Sequence, residues 1–247
     1  VRSPFFSARS FTSTSLDEWK NSERLQPGAW ADFESDKFMM QVPAAWIRDL
    51  EDPATLMRDW DKSMDAVSEL LGLPLVRSKT VLYMQNDVLY RGTANFPGYP
   101  MSNDPYNPDQ LANQETGPNT GRKHYMIRGP QYATSTTFHE LGHASSITKF
   151  RGETEAAVNL LYVAAMNRKF GFDLEKAFAK SIGNREEMTL DQAAITCMVT
   201  DHFRQGQPMA ATEMMYQHRG HAKYVDIAKL FGWEALDVPI LGQLGLL

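Results

Sequence analysis

Apolar residues recur every three or four positions along the segment that follows Asp52 and Pro53. This period matches the pitch of an α-helix, and it predicts a helix that runs to about Leu71 with one face turned toward a core. The residues that define this face are Leu56, Trp60, Met64, Val67 and Leu71. We interpret these side chains as core packing.

Shorter, strand-like runs make up much of the rest of the first half. Residues 30–42, with the sequence WADFESDKFMMQV, contain two such runs separated by a turn at Ser35 and Asp36. This is the pattern of a β-hairpin. The runs at 76–84 and 123–128 are also strand-like. The first half is therefore predicted to be mixed α/β.

The part of the chain after Ser135 has helical spacing throughout. The predicted helices lie at about 136–149, 153–170, 173–182, 189–205, 208–219 and 221–231. Thr189 and Gln192 form a capping box, and Gly171 and Gly232 stand where helices end. The fold class is therefore predicted to be α+β, with a mixed α/β N-terminal half and an all-helical C-terminal half.

Composition narrows the possible functions. The chain has 247 residues, of which 43% are hydrophobic and 22% charged, which suits one or two globular domains. Its net charge of -5 argues against a nucleic-acid partner, because such proteins are usually basic. No apolar run approaches the ~20 residues of a membrane span. The single cysteine, Cys197, excludes an internal disulfide and is expected to be a buried thiol.

A His-Glu-x-x-His pattern occupies the start of the helical half, at His139, Glu140 and His143. On a helix, positions i and i+4 share one face, so both imidazoles can bind one metal ion. Glu140 then projects beside the metal, where it can deprotonate a water. This pattern predicts a zinc-dependent hydrolase with one Zn²⁺ and Glu140 as general base.

The third zinc ligand is expected downstream, because a catalytic zinc usually has three protein ligands and one open position. The candidates are Glu153 and Glu155, in the first turn of the next predicted helix. We favour Glu155, because it begins a Glu-Ala-Ala-Val-Asn run that ends at Asn159. Asn159 would lie one turn further on and support the carboxylate from behind.

The motif alone could arise by chance in a helix. Its neighbours are apolar or small, as expected of a buried helix: Phe138, Leu141, Gly142, Ala144 and Ile147. Burying two histidines and a glutamate together is unfavourable unless a metal compensates them. These observations favour the zinc site over the chance occurrence.

Substrate-contacting residues are harder to assign. Residues 86–114 are rich in Gly, Pro, Asn and Tyr, and such a long segment is either a functional loop or a solvated surface loop. If it is a functional loop, Tyr99 and Tyr106 are candidate residues that line a substrate cleft. The donor that would stabilise an oxyanion stays open among His202, Tyr216, His218 and Tyr162. His218 and His221 have a loosely ligand-like spacing, but nothing else joins them.

Several segments together resemble the mucin-targeting metallopeptidases of the enhancin and accessory colonization factor D type, metallopeptidase family sixty. The resemblance covers about residues 30–236. Its segments are HELGH at 139–143, TEAAVNLLYV at 154–163, Gly98-Tyr99-Pro100, WADFESDKFMMQVP at 30–43 and LFGWEAL at 230–236. Two stretches depart from the family's pattern: residues 135–138, where it often has Trp-Gly, and 144–146, where it tends to have Asn and Gln.

This resemblance implies a secreted or cell-surface zinc endopeptidase of the gluzincin kind. His139, His143 and Glu155 would be the ligands and Glu140 the base. Family members often cleave O-glycosylated, mucin-like proteins, so a glycoprotein substrate is implied. The alternatives from other classes are a catalytically silent binding or scaffold protein, and a zinc hydrolase that acts on a non-peptide bond.

The expected organisation follows from these observations. Residues 1–15 are rich in Ser, Thr and Arg without a clear period, so we expect an extended arm. Residues 16–247 are expected to form the catalytic domain, with an N-terminal α/β subdomain at about 16–134 and a C-terminal helical subdomain at about 135–247. A zincin-type active-site helix would then lie at the junction. The chain begins at Val1 rather than Met, which favours a processed product or an excised domain.

Overall fold

A computed structural model gives the fold, and it combines a mixed β-sheet with helices. The described residues are 1–73, 82–87, 89, 95–103, 124–145, 153–181, 188–207, 216 and 219–237. They divide into two compact units. The first comprises described residues within 1–64 and 76–133, and the second those within 65–75 and 134–247.

The first unit contains a seven-stranded sheet in the order β2-β1-β3-β4-β5-β7-β6. The strands are β1 (Phe5–Arg9), β2 (Thr12–Ser13), β3 (Trp30–Glu34), β4 (Phe38–Pro43), β5 (Leu82–Asn86), β6 (Asn95–Phe96) and β7 (Met101–Asn103). Three pairs are parallel, namely β1 with β3, β4 with β5 and β5 with β7. The others are antiparallel, so the mixed α/β character expected from the sequence is present.

The hairpin of β3 and β4 is confirmed, with Trp30 opposite Pro43 and Glu34 opposite Met39. Its turn is fixed by Ser35, whose backbone N–H donates to the Phe38 carbonyl at 2.8 Å. The Ser35 hydroxyl oxygen also accepts from the Phe38 N–H at 3.0 Å. A small hydroxylated residue therefore stabilises the reversal locally, which explains why the sequence predicted it.

The N-terminal segment differs from the expected arm. Residues 5–9 form β1, which pairs in parallel with β3, so that Phe5 lies opposite Asp32 and Ser7 opposite Glu34. Phe6 is buried and its ring packs edge-on against Trp19, with the centroids 5.7 Å apart. The segment is therefore part of the sheet. It is held by its parallel pairing with β3 and by the packing of Phe6 against Trp19.

The first unit's core lies on one face of the sheet, where side chains alternate with a period of two. Buried positions on β3 and β4 are Ala31, Phe33, Phe38, Met40 and Val42. Helix α1 (Leu16–Asn21) contributes Trp19, and helix α2 (Pro53–Leu71), predicted from its apolar period, contributes Trp60 from its first part. Trp60 stacks on Phe38 at 4.5 Å and donates its indole N–H to the Met126 carbonyl at 3.2 Å.

Residues 123–128 were predicted to be strand-like, and this prediction was wrong for the described part. Tyr125–Arg128 form a short helix, α3. The His124 Nδ1 accepts from the Met126 backbone N–H at 3.3 Å, which caps this helix, and Gly129 ends it with a φ of 119°. A short apolar run does not by itself distinguish a helix from a strand. Here the His124 cap favours the helix. In the run 76–84, strand β5 begins at Leu82, and residues 76–81 lie outside the described residues.

The second unit is helical in its described part. Its helices are α4 (Ser135–Ala144), α5 (Thr154–Phe170), α6 (Leu174–Ser181), α7 (Leu190–Met198), α8 (Asp201–Arg204) and α9 (Ala222–Phe231). The helix predicted at 189–205 is two helices, because the Thr200 hydroxyl starts α8 by accepting from the Phe203 N–H at 3.3 Å. The capping box of Thr189 and Gln192 and the left-handed Gly171 after α5 are confirmed. No helix in the described ranges has the length and apolarity that crossing a membrane requires.

Helix α5 is the centre of the second unit, and helix α4 lies against it at very short range. All eleven residues from Ala156 to Met166 are buried. Gly142 of α4 faces α5 so closely that a Cβ there would lie 2.7 Å from Val158 Cγ1 and 3.0 Å from Leu161 Cδ1. Only glycine fits this position without moving a helix.

The far end of α5 is held by a separate ion-pair group. The Arg168 guanidinium binds Asp237 through two parallel hydrogen bonds of 2.8 Å. It also lies 2.9 Å from the Glu69 carboxylate, in the part of α2 that belongs to the second unit. Paired contacts of this kind are the strongest geometry for an arginine and a carboxylate.

Gly142→Ala is expected to destabilise the protein by about 1–3 kcal/mol, because the added methyl group forces α4 away from α5. An unconstrained Gly-to-Ala change inside a helix would instead stabilise by roughly 0.5–1 kcal/mol. Val158→Ala in the same chain removes the nearest clashing atom and should recover part of the loss. Urea unfolding of the three variants measures this, and a stabilised Gly142→Ala protein would refute the close approach.

His124 is expected to make the protein less stable as the pH falls. It is buried between Trp46, stacked at 4.8 Å, and Tyr125 at 4.4 Å. Burial lowers the pKa of His124 from its ordinary 6.5 to about 3. The folded protein therefore keeps the ring neutral while the unfolded chain takes up a proton. The contribution of the neutral His124 ring to the free energy of unfolding is then fully present above about pH 6.5 and is lost as the pH falls toward 3. The loss between pH 7 and pH 5 is about 2 kcal/mol.

His124→Asn removes the titrating group and keeps a side-chain acceptor for the Met126 N–H. Urea unfolding at pH 7 and pH 5, followed by tryptophan fluorescence, should show that the variant loses about 2 kcal/mol less than the wild type. Equal losses in the two proteins would contradict the assignment.

Candidate metal centre

Helix α4 places His139 and His143 one turn apart on the same face. Their Nε2 atoms are 3.1 Å apart, and the ring planes stand at 76° with centroids separated by 4.8 Å. His139 is buried, with 8% of its surface exposed, and His143 is partly exposed. The two imidazoles therefore converge on one point at the edge of the helix layer.

Glu155 reaches the same point from the first turn of α5. Its Oε2 lies 3.2 Å from His139 Nε2, and its Oε1 lies 3.4 Å from His143 Nε2. Within the described part of the chain, these three residues are the His, Cys, Asp and Glu side chains gathered closely enough to hold a metal ion. The i, i+4 pair and the third residue on the next helix are the arrangement that the sequence predicted.

The spacing of these donor atoms matches a zinc ion. Zinc binds imidazole nitrogen and carboxylate oxygen at about 2.0–2.1 Å in tetrahedral geometry, so two ligand atoms lie about 3.3 Å apart. Here the two Nε2 atoms are 3.1 Å apart, and each lies 3.2 or 3.4 Å from a different oxygen of the Glu155 carboxylate. Two imidazoles and one carboxylate are also the ligand set of many catalytic zinc sites, which leave a fourth position for water.

Asn159 fixes the orientation of His139. The Asn159 Oδ1 lies 2.9 Å from His139 Nδ1, and its Nδ2 donates to the Glu155 backbone carbonyl at 3.0 Å. A ring N–H at Nδ1 donates to this amide oxygen and leaves the lone pair on Nε2 for a metal. The sequence predicted that Asn159 supports the Glu155 carboxylate, whereas these two contacts go to the Glu155 backbone carbonyl and to His139. The structure therefore adds a role that the sequence did not reveal, which is to set the tautomer of His139.

Glu153, the other candidate ligand, is engaged elsewhere. Its Oε2 accepts a hydrogen bond from the Tyr224 hydroxyl at 2.8 Å and binds the Lys223 ammonium. Both partners are on α9. This arrangement separates the two candidate glutamates, since Glu155 faces the histidines and Glu153 faces α9.

Glu140 lies beside the cluster and is half-buried. Burial raises the pKa of its carboxyl above the ordinary value; the His143 ring opposes this effect, and the Glu155 carboxylate adds to it. A carboxylate that is partly withdrawn from water is a better proton acceptor than an exposed one. Its neighbours therefore suit a general base.

The structure describes three of the four candidate oxyanion donors, namely Tyr162, His202 and Tyr216. Tyr162 is buried in α5 with its ring 5.6 Å from that of Phe138, and burial raises its pKa. It therefore packs in the interior. His202 lies on α8, and Tyr216 lies beneath the Arg219 guanidinium at 5.2 Å. His218 lies outside the described residues, so the structure assigns no oxyanion donor.

Three further residues were considered from the sequence, namely His221, Tyr99 and Tyr106, and the structure describes the first two. His221 is buried and hydrogen-bonds Ser181 Oγ through Nε2 at 2.7 Å. Tyr99 belongs to the first unit, is 62% exposed, and contacts the Tyr83 ring edge-on at 6.2 Å. Tyr106 lies outside the described residues. A role of Tyr99 and Tyr106 in binding substrate stays a prediction.

Similar proteins give this geometry a context. The chain is 25% identical over 225 residues to TRPM8 channel-associated factor 2 of Bos taurus, which covers 90% of this chain and 22% of the relative. It is 29% identical over 167 residues to the TRPM8 channel-associated factor homolog of Xenopus laevis, which covers 66% of this chain and 17% of the relative. The chain thus spans about a fifth of the length of the curated relatives it matches.

Solved structures share the fold. A conserved protein of unknown function from Bacillus anthracis aligns with a TM-score of 0.58 at 13% identity, over 100% of this chain and 56% of that chain. The M60 catalytic domain of ZmpC from Clostridium perfringens, solved in complex with the sialyl T antigen, aligns with a TM-score of 0.50 at 11% identity. That alignment covers 100% of this chain and 55% of the other.

The sequence profile of one family matches almost the whole chain, over residues 1–238, and includes every residue of the cluster. The family resemblance inferred from the motifs is therefore confirmed. The chain belongs to the family described as peptidase M60, enhancin and enhancin-like.

Proposed function

We propose that the chain is the catalytic part of a zinc endopeptidase of the gluzincin kind, with α4 as a zincin-type active-site helix. The observation that carries this proposal is the convergence of His139, His143 and Glu155, whose donor atoms lie 3.1–3.4 Å apart. Membership of the M60 peptidase family supports it.

In this proposal each side chain has one role. A zinc ion held by the two histidines and Glu155 would supply a Lewis acid that polarises the substrate carbonyl and acidifies a water. Glu140 accepts a proton from the attacking water and then delivers it to the leaving amine nitrogen. Asn159 keeps the His139 Nδ1 protonated, so that Nε2 faces the centre.

The proposed substrate is a protein that carries mucin-type O-glycans, and the proposed location is outside the cell or at its surface. The support is the family, together with the fold shared with a catalytic domain that was solved with the sialyl T antigen. We further propose that the catalytic domain includes strand β1 as well as residues 16–247, with subdomains divided near residue 134.

A second candidate is a peptidase fold that acts by binding alone. The names of the curated relatives favour it, because they describe channel-associated factors. Against it stand the general base and the three ligands, all present in one constellation. A binding protein has no need of Glu140, so hydrolysis that depends on this residue separates the two candidates.

The first test measures cleavage of an O-glycosylated mucin-type protein beside its deglycosylated form, with and without chelator. Wild-type protein is expected to cut in a chelator-sensitive way. Glu140→Gln should keep zinc but lose hydrolysis by about three orders of magnitude, because proton transfer is removed and the ligands are untouched.

Cutting of the glycosylated form alone would establish a requirement for the glycan. Cutting of both forms would leave a zinc peptidase without that requirement. If the wild type binds one zinc ion and cuts neither form nor a panel of peptides and esters, the binding-protein candidate replaces the enzyme. Full activity of zinc-loaded Glu140→Gln would refute the assignment of the base.

The second test distinguishes the two candidate glutamates. Glu155→Ala is expected to weaken zinc binding by more than about a hundredfold, because it removes a ligand. Glu153→Ala should have a much smaller effect, because this carboxylate faces Lys223 and Tyr224. Titration of both variants with zinc against a chromophoric chelator gives the ranking, and the reverse order would make Glu153 the ligand.

A further inference from the structure

A buried ion-pair cluster lies directly beside the first turn of α5, outside the metal centre. It consists of Glu153, Lys223 and Tyr224. The Glu153 and Lys223 side chains are only 18% and 10% exposed, and the Tyr224 hydroxyl donates to Glu153 at 2.8 Å. The proposed mechanism uses none of these residues, although burying a charged pair away from the surface requires compensation.

The position of Glu153 in the chain makes this cluster relevant to the metal. Glu153 is the residue at which α5 begins, and its backbone carbonyl accepts the first helical hydrogen bond from the Ala157 N–H at 2.8 Å. A negative charge near this point interacts favourably with the free N–H groups of the helix N-terminus. Here the carboxylate makes no capping hydrogen bond and extends to α9 instead.

The start of α9 is itself firmly held, so it can serve as a fixed support. His221, which precedes α9, is fully buried and hydrogen-bonds Ser181 at 2.7 Å. A Cβ on Gly220 would lie 2.9 Å from the Ala156 Cβ, so the backbone of this segment touches α5 one position after Glu155. The first turn of α5 is therefore clamped on both sides of Glu155.

We propose that Lys223 and Tyr224 are positioning residues for the third metal ligand, acting through Glu153. This inference rests on the proposed zinc site. The contacts of Glu153 with Lys223 and Tyr224, here called the clamp, set the rotation and axial position of the first turn of α5. They thereby set the direction in which Glu155 extends toward His139 and His143. Ligand geometry must hold to within a fraction of an ångström, so a small shift of this turn weakens the centre.

Removing the ammonium should release the clamp. In Lys223→Met, the Glu153 carboxylate keeps the Tyr224 hydroxyl but loses its counter-charge. It then gains by turning toward water or toward the free N–H groups of its own helix. Either movement displaces the first turn of α5. Lys223→Arg retains the positive charge on a side chain long enough to reach Glu153, so it is the rescue variant.

The matched control lies at the opposite end of the same helix. Arg168 is a similarly buried cation, with 14% of its side chain exposed, and binds Glu69 and Asp237. Arg168→Met therefore destabilises α5 in a comparable way without touching its first turn. A purely structural effect on α5 would change metal binding equally in the two variants.

The experiment measures zinc affinity by chelator competition and the visible spectrum of the Co²⁺-loaded protein. Lys223→Met should bind zinc about tenfold more weakly. Mutating a residue that supports a metal ligand from behind commonly lowers metal affinity by at least this much. Its Co²⁺ spectrum should also change. Tyr224→Phe should show a smaller loss in the same direction, and it serves in place of Lys223→Met if that variant does not fold. Lys223→Arg and Arg168→Met should stay within about twofold of the wild type.

Wild-type affinity and spectrum in both Lys223→Met and Tyr224→Phe would overturn the proposal. So would equal weakening in Arg168→Met, since the effect would then be general destabilisation. A wild-type protein that binds no zinc would instead refute the proposed function, so the two failures are distinguishable.

Discussion

The close approach of α4 and α5 is the constraint on which the metal centre depends. His139 and His143 come from one helix and Glu155 and Asn159 from the other, so their separations follow from the distance between two backbones. Gly142 permits that distance, because any side chain there would meet Val158 at 2.7 Å. The glycine within the motif is therefore as necessary to the geometry as the histidines that flank it. Buried helix α5 provides the rigid reference against which the ligands are placed.

Polar groups in this buried region are supported by further polar groups. Asn159 is 3% exposed and uses its amide oxygen on His139 and its amide nitrogen on the Glu155 carbonyl. One side chain thereby connects two of the three ligands. On the other side of the same turn, the Glu153 carboxylate is satisfied by α9. The first turn of α5 thus carries two acidic residues that point in different directions, and each direction is set by its partners.

The parts that the sequence predicted well depend on local patterns. Helix α2 follows from its apolar period, the β3–β4 hairpin from alternation around Ser35, and the proximity of His139, His143 and Glu155 from an i, i+4 pair followed by a glutamate after a turn. The parts that it missed depend on distant partners or on a cap. Strand β1 looked like an arm because its partner β3 lies some 25 residues further on. The sequence favoured Glu155 over Glu153, but it did not reveal the contact that holds Glu153 away, which is with Lys223, 70 residues later. Residues 125–128 became helical through a histidine cap that no periodicity reveals.

The charges in the cluster favour the binding of a cation. Two neutral imidazoles with their lone pairs directed to one point repel each other unless a proton or a cation lies between them. Glu155 adds a negative charge at 3.2 Å and 3.4 Å, and Glu140 adds another nearby in a setting that already raises its pKa. A divalent cation would relieve these interactions, because it would pair with both lone pairs and with the Glu155 carboxylate, and its charge would offset that of the nearby Glu140. Replacing all of these groups together by apolar residues would remove the cost of burying them, and such joint replacements are often neutral or stabilising. The four groups together therefore fit the proposed metal site.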